Sequence, residues 1–338
     1  MNDEDRRIRS LRPPLERPQR LDRPLGVVVE EERTPRGSVR SATVFLAGAE
    51  CPFTCAFCDL WRHTIPGPTP PGALPAQLDV ASRTLEELER GELEAHEPAA
   101  SRSYSAAVEQ LKLYNASNFF EPRAVPDADR EAILARIRRF ERVVVESHPR
   151  LLGERAAWWA DRLGSRLEVA IGLETVHPEA LARLNKGARL DDVERAAGRL
   201  EGLGLGLRCF VLIGVPRVAA PDQVEWVRRT VEHAAALGAR VTSLIPVRGG
   251  NGELERLRAE GAWRPPDLGL VEDALDAALV WDRGHEGGMT VQADPWDLER
   301  LAVCRGCASA RLERLRRINR TGLPAPRIEC RSCGAGSA

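Results

Sequence analysis

The sequence predicts an α/β fold: a complete or partial (β/α) barrel followed by a small cysteine-bounded module. Three observations predict it. Short apolar runs alternate with amphipathic stretches of about 10 to 20 residues, the pattern of βα units around a parallel sheet. A length of 338 residues is long for one ordinary domain and normal for a barrel with an appendage. Unusual residue clusters recur directly after the strand-like runs, where such barrels carry their chemistry.

The elements follow in order. Residues 1–24 are rich in Arg and Pro without periodicity and read as a flexible arm. VVVEEERTPRGSVRSATVFLAG reads as two strands joined across Thr34-Pro35-Arg36-Gly37, the second running into CPFTCAFC. HTIPGPTPPG is loop. A helix near 76–91, strand QLKLYN, helix DREAILARIRRF, strand RVVVES and helix GERAAWWADRLG come next. Strand LEVAIGL, helix DDVERAAGRLEGLG, strand LRCFVLIG, helix PDQVEWVRRTVEHAAALG, strand RVTSLIP and a strand near MTVQAD complete a barrel domain over 25–300. Residues 301–338 form the cysteine-bounded module, with an apparent helix in ARLERLRRINR.

Hydrophobic residues make up 43% and charged residues 29%, with a net charge of −1, which argues against disorder and against a strongly basic global field. The N-terminal stretch lacks a signal-peptide core and no uncharged apolar run approaches membrane-spanning length, so the expectation is a cytoplasmic protein without a membrane partner. In a reducing compartment, clustered thiols point to metal ligation rather than disulfides. Seven of the eight cysteines are clustered. Lysine occurs only at Lys112 and Lys186 among 49 basic residues, which marks both for attention.

Cys51, Cys55 and Cys58 offer three thiolates spaced x3 and x2, enough for three corners of a cubane cluster with the fourth iron open to a small molecule. A three-cysteine zinc site completed by His63 is the alternative. The spacing, with Phe57 before the last cysteine, resembles the signature of the radical S-adenosylmethionine (radical SAM) superfamily. That resemblance implies a radical SAM barrel, a 4Fe-4S cluster whose open iron is chelated by S-adenosylmethionine, Phe57 near the adenine, and an external electron donor.

The resemblance extends over about residues 40–300. In NASNFFEP, Ala116 and Ser117 stand where the superfamily usually has glycines, which implies that Asn115, Ser117 and Asn118 approach the methionine moiety; an Asx- or Ser-type turn is the plainer reading. Glu146 matches an acidic position of coproporphyrinogen-oxidase-like radical enzymes that contacts the methionine part. Glu174 and Lys186 match positions holding the ribose and the carboxylate, or else they merely precede and end a helix. VESHPRLL, GLETVHPEALARLNKG and SLIPVRGGNGELERLRAEGAWRPPDL look like the elongator-catalytic-subunit branch, especially the radical subunit of archaeosine synthase, which implies tRNA modification. GGNGELE departs from that branch's usual Gly-Thr pattern.

Cys304-x2-Cys307 and Cys330-x2-Cys333 make a second set of four thiolates, able to close a zinc shell or to hold an auxiliary 4Fe-4S cluster. Between residues 305 and 331 there are eight Arg against two acidic residues, which suits an RNA backbone or a solvated helix face. Cys209 reads as a buried apolar residue, and His148 as a proton donor or a turn residue. Trp61 and Arg62 either shield the cysteine loop or simply pack and solvate there. The sequence therefore points to a radical SAM enzyme acting on an RNA nucleoside, with a peptide or small-metabolite radical enzyme and a non-catalytic zinc-binding nucleic-acid module as alternatives.

Overall fold

A computed structural model describes residues 2–14, 20–91, 107–282 and 288–334. Its sheet has eight strands in sequential order: β1 (Gly26–Thr34), β2 (Gly37–Phe45), β3 (Gln110–Tyr114), β4 (Arg142–Ser147), β5 (Leu167–Glu174), β6 (Gly206–Ile213), β7 (Val241–Pro246) and β8 (Thr290–Ala293). β1 pairs antiparallel with β2 through the Thr34-Pro35-Arg36-Gly37 turn, and every later pair is parallel. β1 and β8 are the two ends of this order, so the barrel is partial, with one seam.

Helices α2 (Ala73–Glu89), α3 (Arg130–Ile137), α4 (Glu154–Leu163), α6 (Leu190–Gly202), α7 (Gln223–Ala236) and α9 (Leu268–Ala278) form the outer layer. Strand alternation sends Leu111, Leu113, Val143, Val145, Val169 and Ile171 outward into one apolar core with Leu85, Ile137, Trp159 and Leu200 of the helices. Cys209 belongs to this outer core and is completely buried, as its apolar reading expects.

Several inward positions carry charges. Lys112 Nζ lies 2.5 Å from Glu30 and 3.0 Å from Glu32, while Arg208 bonds Glu32 at 2.5 Å and Glu168 at 2.7 Å. Burial opposes the charge on Lys112, but Glu32 and Glu30 outweigh it and its pKa is raised. Burial likewise opposes ionisation of Glu32, and Arg208 and Lys112 reverse the outcome. This network floors the lumen and accounts for one of the two lysines as a buried structural charge.

The N-terminal segment corrects an expectation. Asp3–Ser10 forms helix α1 rather than a flexible arm, started by a capping box between Asn2 and Asp5. It docks through tertiary contacts that no local periodicity reveals: Arg7 pairs with Glu253 at 2.6 Å, Arg12 with Glu50 at 2.7 Å, and Asn185 donates to Asp5 at 2.9 Å. Short helices α5 (Pro178–Arg183) and α8 (Glu253–Ala259) follow β5 and β7 and border the mouth.

The last helix, α10 (Ala308–Thr321), is no detached appendage. Its buried Leu312, Leu315 and Ile318 join the main core, and it packs against both β1 and β8. Asn319 Nδ2 donates to Ala293 O at 2.7 Å and Asn319 Oδ1 accepts from Ala293 N at 2.9 Å, so one side chain replaces the missing neighbour strand. Arg33 of β1 donates to Asn319 O and to Val291 O, both at 3.0 Å, and pairs with Asp282, which accepts from Val291 N at 2.9 Å. Side chains thus close what backbone pairing leaves open.

Candidate active site at the mouth of the barrel

The loop after β2 carries Cys51, Cys55 and Cys58, and it is held by amides because irregular backbone needs partners from elsewhere. Asn251 Nδ2 donates to Ala56 O at 2.8 Å while Asn251 Oδ1 caps α8 by accepting from Leu254 N at 2.9 Å. Asn185 Nδ2 donates to Thr54 O at 2.8 Å, and Ala56 N donates to Leu184 O at 2.8 Å. Asn118 Nδ2 donates to Cys51 Sγ at 3.2 Å, and its Oδ1 accepts from His148 N at 2.5 Å. Asn185 and Asn251 escaped sequence reasoning, although a signal existed: the chain has only six asparagines.

Burial pushes all three thiols up, Cys58 to about 12 and Cys55 well above its usual value; the Lys186 ammonium opposes this at Cys51 and Cys55. Metal binding there must therefore displace protons. The fourth ligand of the zinc alternative, His63, is exposed, whereas Asn118 turns toward Cys51. Three half-buried thiols on one loop, one receiving an amide N–H, suit a larger cluster with an open corner.

The loop after β3 brings Asn115, Ser117 and Asn118 to the mouth. Ala116 has φ 50°, in the left-handed region that glycine occupies without strain. Asn115 N donates to Glu146 Oε1 at 2.9 Å. Asn115 Nδ2 and Ser117 Oγ are buried and find no partner among the described residues. Burial raises the Glu146 carboxyl to about 7, against the opposing N–H groups of Asn115 and Ala116. Unsatisfied buried donors beside a carboxylate are what a polar ligand such as an amino-acid moiety would complete.

β5 ends in a register shift between Gly172 and Glu174, and Glu174 has φ 64°. This bulge aims Glu174 inward. Its Oε1 meets Lys186 Nζ at 2.5 Å, both side chains 6% exposed. A Cβ on residue 172 would overlap both groups, so only glycine admits the pair. Burial opposes the charge on Lys186, but Glu174 outweighs it and the pKa is raised.

His148 is a backbone clamp rather than a proton donor. Its Nε2 contacts Lys186 O at 2.9 Å, its ring stacks on Phe53 at 3.6 Å, and burial followed by the Lys186 charge lowers it to about 3. Phe57 lies half-buried against the cluster of Leu181, Leu212, Val215 and Val247. Trp61 is buried between the Arg12 and Arg62 guanidiniums, a packing role.

Below these groups the lumen wall is aromatic. Phe45, Tyr114 and Phe210 stay part-exposed on inward positions whose outward neighbours Val44, Leu113, Cys209 and Val211 are fully buried. Phe45 contacts Tyr114 at 6.3 Å and Trp296 at 5.2 Å, and Tyr114 contacts Phe210 at 6.2 Å. Sequence reasoning missed this wall because its members come from four separate elements.

The second cysteine set is compact. Cys304 and Cys330 Sγ are 4.0 Å apart and Cys307 and Cys333 Sγ 3.8 Å apart. The basic stretch around it is largely neutralised within the fold: Arg311 and Arg314 pair with Glu272, Arg314 and Arg327 with Asp276, and Arg316 and Arg320 with Glu313. The net charge counted along the sequence therefore overstates the field available to a nucleic acid.

The Radical SAM superfamily model matches residues 47–222. Among solved structures, the chain is similar to the archaeal Methanocaldococcus infernus Elp3 lacking residues 1–46, at 12% identity and TM-score 0.52, over 76% of this chain and 62% of that one. It is similar to a radical SAM methyltransferase from Sphaerobacter thermophilus at 14% identity and TM-score 0.48, over 76% of this chain and 70% of that one. It is also similar to the radical SAM enzyme coproporphyrinogen III oxidase from Escherichia coli at 14% identity and TM-score 0.44, over 73% and 53%. At these identities the likeness is one of fold, and the chain spans 62% of the length of the Elp3 structure. No curated protein matches the sequence. No helix among the described residues is long and apolar enough to cross a membrane.

Proposed function

The chain belongs to the radical SAM superfamily, and we propose that this enzyme abstracts a hydrogen atom from a nucleoside of RNA, with tRNA as first choice, held in the barrel lumen. Family membership replaces the reading of the chain as a non-catalytic zinc module. The observation that carries the substrate class is the part-exposed wall of Phe45, Tyr114 and Phe210 under the cysteine loop, with Trp296 at its rim, which suits the faces of a planar ring.

The family implies a 4Fe-4S cluster and S-adenosylmethionine; when bound, they supply the one-electron cleavage that yields a 5'-deoxyadenosyl radical. Cys51, Cys55 and Cys58 would hold the cluster, with the Asn118 N–H stabilising negative charge on Cys51 Sγ. Glu146 would receive the ligand's ammonium, and the unpartnered Asn115 Nδ2 and Ser117 Oγ would bond its polar groups. Lys186 would hold the ligand carboxylate and Glu174 the ribose hydroxyls, exchanging their mutual ion pair for contacts to the ligand. Phe57 would cover the adenine from the apolar side.

A free small-molecule substrate is the second reading, favoured by the internal pairing of Arg311, Arg314, Arg316, Arg320 and Arg327. One experiment separates the two. Anaerobically reconstituted enzyme, given reductant and S-adenosylmethionine, is incubated with bulk tRNA or with a small-metabolite pool. The RNA reading expects faster 5'-deoxyadenosine release and a changed nucleoside mass with tRNA alone. Acceleration by metabolites and none by tRNA would overturn it.

A further inference from the structure

We propose that Cys304, Cys307, Cys330 and Cys333 bind a single zinc ion, and that this ion locks α10 over the open seam of the barrel. All four sulfurs lie within 4.8 Å of one another. A tetrahedral ion with Zn–S bonds of about 2.3 Å spaces its ligands by about 3.8 Å. The observed Cys307–Cys333 and Cys304–Cys330 separations of 3.8 and 4.0 Å match that edge. A cubane binds each thiolate to a different iron and needs them farther apart. The chemistry is that of a closed structural shell with no position left for substrate.

The placement supplies the lock. Cys307 is the residue immediately before α10, and Cys330 and Cys333 follow the segment that returns beside α9, where Arg314 donates to Ala325 O and Pro326 O at 3.0 Å. One ion therefore fixes the start of α10 to the end of its return path, closing a loop that contains Asn319. Asn319 and Arg33 are the groups that satisfy the free edge of β8. Gly322, with φ 67°, ends the helix where a Cβ would strike the Arg33 guanidinium, so the helix terminus is built around that contact. Freed from the ion, α10 loses its anchor at one end, and the seam beside the aromatic lumen opens more often.

The full chain with Cys51→Ala, Cys55→Ala and Cys58→Ala leaves metal only to the C-terminal set. Elemental analysis is expected to find about one zinc and no iron; several irons, a single iron or no metal would each overturn the assignment. For the lock, hydrogen exchange is followed on wild-type peptides covering β8 before zinc chelation, after it, and after zinc is restored. Exchange in β8 should rise about tenfold on removal and return on restoration. Asn319→Leu should keep its zinc and lose the same protection. Protection of β8 that ignores zinc removal refutes the lock, and retained protection in Asn319→Leu refutes the stitch through which it acts.

Discussion

Glu146→Gln tests the electrostatics of the mouth. Burial raises the Glu146 carboxyl from 4.5 to about 7. A carboxyl whose folded pKa lies above its unfolded value keeps a proton that the unfolded chain has released, so stability falls as pH rises from about 4.5 to about 7 and is flat above. At 1.36 kcal/mol per unit, the full loss is about 3 kcal/mol, of which about 2.5 kcal/mol falls between pH 5 and pH 8. The substitution removes the titration and keeps an oxygen to accept the Asn115 N–H. Urea unfolding of the metal-free, reduced chain, followed by tryptophan fluorescence, should show the variant gaining about 2.5 kcal/mol on wild type between those two pH values. A gap that does not change with pH would refute the assignment of a proton-holding Glu146. The same titration predicts tighter S-adenosylmethionine binding by wild type at pH 8 than at pH 6, because only the anion can pair with the ligand's ammonium.

Lys186→Met strands Glu174 as an unpaired buried charge and should cost about 3 to 5 kcal/mol; adding Glu174→Gln should recover at least about 2 kcal/mol, while S-adenosylmethionine binding, read by equilibrium dialysis, stays lost in both. Asn251→Ala removes the amide that holds Ala56 O and Cys58 O; it should cost about 1 to 3 kcal/mol and speed iron loss from the reconstituted enzyme, measured as bleaching under a chelator. Tyr114→Leu and Phe210→Leu should raise the KM for substrate several-fold while leaving 5'-deoxyadenosine release without substrate near wild type; equal loss of both would show that the aromatic wall supports the cofactor site instead.

Much of the site's composition was readable along the chain because it is local. Cys51, Cys55 and Cys58 lie on one short loop, so their spacing by itself offers three thiolates together, the number that suits a cluster with one open corner. Glu146, Glu174 and the asparagines of NASNFFEP drew attention because each lies at or just past the end of a strand, and strand ends converge in a parallel barrel. The strand and helix order was readable for the same reason: periodicity of 2 or 3.6 is written in consecutive residues. Helix α1 was missed although a local signal existed, the capping box of Asn2 and Asp5; what periodicity could not show is its docking, through Arg7 to Glu253 and Asp5 to Asn185.

What the sequence by itself determined was the count and kind of chemistry: three thiols here, four there, a parallel barrel to bring loops together. Only the tertiary structure decided how those groups are used. It paired Lys112 with Glu30 and Glu32 and Lys186 with Glu174, and it turned His148 into a clamp. It neutralised much of the basic tail against α9 and neighbouring acids, and it closed the seam with Asn319 and Arg33. The reason is physical: a charge or amide acquires its role from the group it meets across the fold, and that meeting depends on burial and distance, which local residue order does not display.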